Sequence, residues 1–176
     1  MPAMIDLHCD TLTRSRGRTA GRGPLDDPAF HLSLSKVPAG TRWIQCFAIF
    51  VPDQLRGREA IDFFDRHAAS FDEQMAQNRE RVLPCRSFGG MEAALSEGKF
   101  GAVLTVEGGA VLAGQLERVE TIWNAGVRML TLTWNGPNEL ASGHDTPGGL
   151  TDFGREAVAE LERRGGVGGV SHPNDR

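Results

Sequence analysis

The chain has 176 residues, 40% of them hydrophobic and 24% charged, which fits one soluble globular domain with a substantial core. Its formal net charge of −4 argues against a general affinity for nucleic acid or for anionic membranes. No apolar run reaches the roughly 18 residues that a membrane-spanning helix needs.

The N-terminus and the cysteines predict a cytoplasmic protein. No basic segment followed by an apolar stretch opens the chain, so we expect no secretory signal. The three cysteines, Cys9, Cys46 and Cys85, are odd in number, far apart and without a Cys-x-x-Cys pair. This usage is typical of reduced thiols and argues against a disulfide framework or a thiolate zinc site.

The first half of the chain alternates between strand and helix patterns. An apolar segment at residues 4–7 predicts a strand that ends at His8-Cys9-Asp10. The dense apolar run 43–51 predicts a strand buried on both faces, and residues 57–78 have the apolar periodicity of a helix. A short helix at 91–95 and a buried strand at 101–106, which ends at Glu107, follow.

The second half continues the same alternation. We predict a helix at 116–124, a strand at 127–133, a loop at 134–149, a helix from about 151 to 165 and a glycine-diluted strand at 167–172. Alternating helices and buried strands predict an α/β fold with a parallel sheet of about five strands. The arginine- and glycine-rich segment 13–23 lacks interleaved aromatic residues, so we interpret it as a solvated loop and not as a nucleic-acid-binding arm.

The residues that carry chemistry follow the predicted strands. In an extended segment His8 and Asp10 would point to the same side, with Cys9 opposite, and could bind Zn²⁺ or a similar divalent ion. Glu107 and His172 follow later strands. Alone, Glu107 fits a local hydrogen bond as well as a metal, and His172 fits a surface histidine better. Together, the four side chains form a mixed nitrogen and oxygen ligand set that suits zinc, and a bridging carboxylate could hold two ions.

Four segments of the chain resemble the membrane dipeptidase family (renal dipeptidase, peptidase M19). They occur in the same order as in that family and extend over nearly the whole chain: residues 5–12 (IDLHCDTL), 104–109 (LTVEGG), 126–135 (GVRMLTLTWN) and 150–156 (LTDFGRE). The resemblance implies a (β/α)8 TIM-barrel metallohydrolase with two zinc ions that hydrolyses dipeptides.

Each predicted metal ligand receives a role from this resemblance. His8 and Asp10 would bind the first zinc, and Glu107 would bridge both ions as the catalytic residue. His172, in a hydrophobic-Ser-His segment, would bind the second zinc. A hydroxide held between the ions would then attack the peptide carbonyl, so no serine or cysteine nucleophile is needed and Cys9 is not catalytic.

The chain is shorter than a complete barrel, which typically needs about 250 residues. We therefore expect residues 1–176 to be the N-terminal portion of a single barrel. Another histidine, an arginine for the substrate carboxylate and an aspartate would lie downstream. Gly169 stands where the family usually has an aspartate, and Trp134 where some members have a substrate-contacting histidine, so neither receives a role. We expect an incomplete barrel to be aggregation-prone or to self-associate through its unpaired strands, with a zinc site too incomplete for normal turnover, so that this chain could be inactive alone.

Two alternatives to a zinc dipeptidase remain. One is another amidohydrolase-like metal-dependent amide hydrolase, and the other is a non-catalytic remnant that binds a partner through an exposed sheet edge. For the dipeptidase, the expected binding partners are dipeptide substrates, and the chain could also form a homo-oligomer. We expect neither nucleic acid nor a membrane as a partner.

Overall fold

The computed structural model describes residues 3–14, 24–38 and 40–174. These residues form two compact units. The first unit comprises Met1–Ile49 and His67–Leu104, and the second comprises Phe50–Arg66 and Thr105–Arg176. Most of the arginine- and glycine-rich segment predicted to be a solvated loop lies outside the described residues.

Strands and helices alternate along the described chain, as predicted. The strands are β1 (Met4–Asp6), β2 (Trp43–Phe50), β3 (Val82–Pro84), β4 (Phe100–Glu107), β5 (Val127–Thr131) and β6 (Val167–Gly169). The α-helices are α1 (Thr11–Arg14), α2 (Gly57–Gln77), α3 (Phe88–Ser96), α4 (Arg118–Asn124) and α5 (Asp152–Arg163). Three 3-10 helices lie at Pro24–Asp26, Leu34–Lys36 and Gly109–Leu112.

The first unit is built on parallel strand pairs. Its strand order is β1-β2-β4, with β3 also beside β4, and Ile5 pairs with Ile44 in the register of β1 and β2. The inner residues of β2 are buried, and so are those of β4, because apolar side chains cover both faces of these strands. One core cluster joins the strands to α3 and consists of Ile44, Cys46, Cys85, Ala94 and Val103.

The second unit contains the end of β4 together with β5 and β6, in that order. β5 and β6 are parallel, with Met129 opposite Val167. Helix α5 lies between them in sequence. Its N-cap is Thr151, whose hydroxyl accepts a hydrogen bond from the backbone N–H of Gly154. The polar segment between β5 and α5 is a loop, as predicted, with one short antiparallel bridge between Ala141 and Leu150.

The structure corrects the prediction that all strands are buried. Met4, Ile5 and Leu7 in and after β1 are 52%, 57% and 61% exposed, and Val167 in β6 is 56% exposed. The physical reason is position: β1 and β6 stand at the ends of the strand orders of their units, so each has one strand neighbour among the described residues. β6 is also shorter than predicted, because it ends at Gly169 and not at His172.

None of the helices in the described segments is both long and apolar enough to cross a membrane. Cys9, Cys46 and Cys85 are free thiols, as their spacing predicted.

Candidate metal centre

The first histidine–carboxylate pair lies in the first unit, in the segment between β1 and α1. The Nε2 atom of His8 lies 3.3 Å from Oδ1 of Asp10, and 46% and 35% of these side chains are exposed. The backbone N–H of His8 donates to Oδ1 of Asp6, and the carbonyl of Cys9 accepts from the N–H of Ala48 on β2. These bonds fix the segment beside the sheet.

The side chains of His8 and Asp10 therefore lie close together, as predicted, but the local structure that brings them together differs from the predicted one. The prediction placed them at the end of a strand, whereas β1 ends at Asp6 and both residues follow it. Burial raises the pKa of the Cys9 thiol to about 12, so this side chain is neutral at physiological pH. A neutral thiol agrees with the prediction that Cys9 is not the nucleophile.

A cavity of about 450 Å³ in the first unit borders His8 and Asp10. Its volume is within the range of about 300–1,000 Å³ that is usual for small-molecule sites. Polar and aromatic side chains complete its lining, among them Thr11, Arg14, His31 and Trp43. The cavity can accept a small polar ligand next to the pair.

Glu107 is the last residue of β4 in the second unit, and it is only 7% exposed. Its carbonyl accepts a hydrogen bond from the N–H of Val51. The next residue, Gly108, has φ of +100°, and a Cβ there would lie 3.1 Å from the Val51 carbonyl oxygen. A Cβ at Gly109 would lie 2.7 Å from the Leu140 side chain. Both glycines therefore allow close approach of the neighbouring groups.

The second histidine–carboxylate pair joins Glu107 to His172. Nε2 of His172 lies 3.3 Å from Oε1 of Glu107. His172 follows β6 in a turn with φ of +71°, not in the strand predicted there. The buried carboxylate thus has a basic partner in its own unit, which offsets part of the cost of its burial.

The geometry of both pairs fits zinc. With ligand distances of about 2.0–2.2 Å, two ligands of one tetrahedral zinc lie about 3.3 Å apart. His8 and Asp10 show this separation between nitrogen and oxygen, and so do His172 and Glu107. Each unit therefore offers one nitrogen and one oxygen at a spacing that one ion can use.

Sequence reasoning did not single out His144, which lies beside His172 in the second unit. The ring centroids of the two histidines are 6.2 Å apart, and Nε2 of His144 lies 3.1 Å from Oδ1 of Asp145. The only signal in the sequence is a His-Asp dipeptide in the loop after β5, which is too common to identify a site.

The chain matches a known protein family and several solved structures. The model of the membrane dipeptidase family (peptidase family M19) matches residues 2–176. A metallopeptidase from Rhodobacter sphaeroides, solved with a phosphinate mimic of the dipeptide L-Ala-D-Ala, is 23% identical with a TM-score of 0.89. The metallopeptidase named dipeptidase AC, of family M19, is 25% identical with a TM-score of 0.89.

The chain spans little more than half the length of these relatives. It covers 59% of the Rhodobacter sphaeroides protein and 57% of dipeptidase AC, while each alignment includes 98% of this chain. An Acinetobacter calcoaceticus protein described only as an uncharacterized protein in the PQQ-III 3' region is 24% identical over 83% of this chain and 54% of its own length.

These matches confirm the predicted fold and family. The structural similarity over nearly the whole chain identifies the α/β fold as the incomplete TIM-barrel type of these peptidases. The match over residues 2–176 agrees with the four segments that suggested the family from sequence. The chain belongs to the membrane dipeptidase family, peptidase family M19.

Proposed function

We propose that this chain carries the metal-binding portion of a zinc-dependent dipeptidase. The observation that carries the proposal is the buried Glu107 carboxylate at the end of β4, 3.3 Å from the His172 imidazole. A buried carboxylate beside an imidazole is a ligand pair for zinc, and it lies in a chain that belongs to a dipeptidase family.

Four residues have roles in this proposal. His8 and Asp10 would hold one zinc, His172 would hold a second and Glu107 would be a ligand of both. When bound, the ions supply Lewis-acid polarisation of the peptide carbonyl and activation of water at neutral pH. The side chains fix the position of that chemistry, and the burial of Glu107 keeps solvent from its carboxylate.

The proposed substrates are dipeptides. The cavity of about 450 Å³ beside His8 and Asp10 has a volume suited to a ligand of that size. The Rhodobacter sphaeroides relative was solved with a mimic of L-Ala-D-Ala. We propose no nucleic acid or membrane as a partner, and the three free thiols favour the cytoplasm.

Turnover by these 176 residues is expected to be weaker than that of longer family members. The chain corresponds to 57–59% of the length of two solved relatives. We therefore propose dipeptide hydrolysis for the complete site of the family, to which this chain contributes metal ligands.

A partner-binding role without catalysis is the second candidate. The exposed apolar side chains of β1 and β6, Ile5 and Val167 among them, favour it because they lie on strands with one neighbour in the described chain.

The test is an assay in which the zinc-loaded chain is incubated with a panel of dipeptides. Hydrolysis is measured by the release of free amino acids. We expect weak hydrolysis that a chelator abolishes and that Glu107→Gln removes. Glu156→Gln is the matched control, because Glu156 is an exposed glutamate on α5. Zinc binding without any hydrolysis of the panel would contradict the dipeptidase and favour the partner-binding role.

A further inference from the structure

The loop at residues 134–146, after β5, is hydrogen-bonded on one side to the segment that follows β2. Oδ2 of Asp53 accepts a hydrogen bond from the backbone N–H of Gly136 over 2.8 Å, and Nη2 of Arg56 donates to the carbonyl of Pro137. All of these residues belong to the second unit. Because its acceptor is a carboxylate, the bond from Gly136 is stronger than one between neutral groups.

The same loop is hydrogen-bonded on its other side to the segment that follows β6. The N–H of His144 donates to the carbonyl of His172 over 2.8 Å. Within the loop, the N–H of Gly143 donates to the carbonyl of Gly136 over 3.1 Å. Asp53 is thus connected to His172 through a continuous set of hydrogen bonds and neighbouring residues of the loop.

His172 has a backbone conformation that depends on its surroundings. Its φ of +71° lies in the left-handed region, which residues other than glycine adopt at a cost and keep only where neighbouring groups fix them. The loop supplies one of those groups, the N–H of His144. In this conformation Nε2 of His172 lies 3.3 Å from Oε1 of Glu107. The position of the imidazole beside the carboxylate therefore depends on the loop.

We propose that Asp53 is a positioning residue, which holds the loop at Gly136 and thereby keeps the His172 imidazole beside Glu107. This inference rests on the role of His172 as a zinc ligand in the proposed function. Asp53 acts through the backbone of the loop and is not itself a ligand. The apparent affinity for a ligand falls with the fraction of molecules in the binding conformation, so loss of the Asp53 carboxylate weakens zinc binding while all four proposed ligands stay in the chain.

The test compares D53A with D53N and with D65A. Asparagine keeps a side-chain oxygen that can accept the bond from Gly136, whereas alanine has none. Asp65 is the matched control because it is an exposed aspartate of the same unit, on helix α2. Hydrogen exchange of the Gly136 and His144 amides is measured by NMR without zinc, and the free energy of unfolding is measured in urea. Zinc affinity is measured by competition with a chelator, and H172A identifies the binding step that depends on His172.

We expect D53A to speed the exchange of both amides by about tenfold or more, because it removes a hydrogen bond to a charged acceptor. It should weaken the zinc-binding step that H172A removes by about threefold or more, which is less than the effect of about 10- to 100-fold for groups bonded directly to a metal ligand. D53N should change both quantities less than D53A, and D65A should change neither. A purely structural role would alter exchange and the free energy of unfolding but would leave zinc affinity unchanged.

Two results would overturn the role of Asp53 alone. If the His144 amide exchanges equally fast in D53A and D65A, Asp53 does not hold the loop beside His172. If exchange is faster in D53A but the zinc-binding step that requires His172 keeps its affinity, the loop does not position the imidazole. A third result, zinc binding that H172A leaves unaltered, would overturn the zinc roles of the proposed function together with this inference.

Discussion

Glu107 shows how local backbone geometry creates the site at the scale of single residues. The strand β4 delivers a carboxylate into a buried position, and Gly108 allows the chain to turn there with φ of +100°. A side chain at position 108 would meet both an unfavourable backbone conformation and the Val51 carbonyl oxygen at 3.1 Å. Steric constraints therefore favour glycine at position 108.

The variant Gly108→Ala tests whether steric constraints require glycine at position 108. We expect it to lower the free energy of unfolding by about 2–3 kcal/mol, measured by urea denaturation. Gly98→Ala is the matched control, because Gly98 also has positive φ, +67°, but no atom within 4 Å of a Cβ. It should lower the free energy of unfolding by only about 1 kcal/mol. Equal effects of the two substitutions would show that the contact with Val51 is unimportant.

Cys46 gives a pH-dependent prediction. Burial raises the pKa of its thiol from 9.0 to about 11. Above pH 9 the unfolded chain loses this proton while the folded chain keeps it, so the contribution of the thiol to stability is complete below pH 9 and declines as the pH rises through 11. We expect the free energy of unfolding to fall between these values, by at most about 1.4 kcal/mol per pH unit from this thiol.

The substitution Cys46→Ala should make that decline less steep, when urea unfolding is compared at pH 8 and pH 10. The measured quantity is the difference between the two pH values in each protein, so the cost of the substitution itself cancels. An unchanged difference would contradict the role of Cys46.

The pairing of the candidate site residues could be predicted in part, because polar side chains at the carboxyl ends of parallel strands lie at one edge of a sheet. Glu107 ends a strand, whereas His8, Asp10 and His172 follow strands. The structure pairs His8 with Asp10 and Glu107 with His172. His144 could not be predicted, because its proximity to His172 depends on backbone hydrogen bonds between two loops that are distant in sequence.

At the scale of elements, the sheet has well-buried inner strands and exposed outer ones. β2 and β4 were predicted closely because uninterrupted apolar runs are the signature of strands covered on both faces. β3 was missed, since three residues ending in Pro84 give no periodicity. The exposure of β1 could not be predicted, because an apolar run does not reveal whether its strand is inner or outer.

The outer strands predict self-association. Ile5 and Val167 are 57% and 56% exposed on β1 and β6. We expect the variant I5K/V167K to be less associated than the unmodified chain in sedimentation velocity, because charge on an outer strand opposes strand pairing between molecules. Phe88→Lys is the matched control, since Phe88 is 73% exposed but lies on helix α3. Equal association of all three proteins would contradict this interpretation.

At the scale of the whole molecule, the account depends on zinc being a resident ligand. A ligand that binds only the folded state stabilises it by about 2.7 kcal/mol at a free concentration of 100 times its Kd. We therefore expect zinc to raise the melting temperature and a chelator to reverse the change. The increase should be smaller in H172A than in the unmodified chain, and an equal increase in both would contradict binding at His172.

The family could be predicted because four separate motifs agree in order, and the match over residues 2–176 confirms it. The roles of individual residues stay predictions, because they depend on an ion and on a substrate.

The most direct test is the zinc content of the purified chain and of three single variants, measured by elemental analysis. The account predicts two zinc ions in the unmodified chain, one in H8A, one in H172A and fewer than one in Glu107→Ala, because Glu107 is proposed to bind both ions. A chain without zinc, or a zinc content that none of the three substitutions changes, would contradict it.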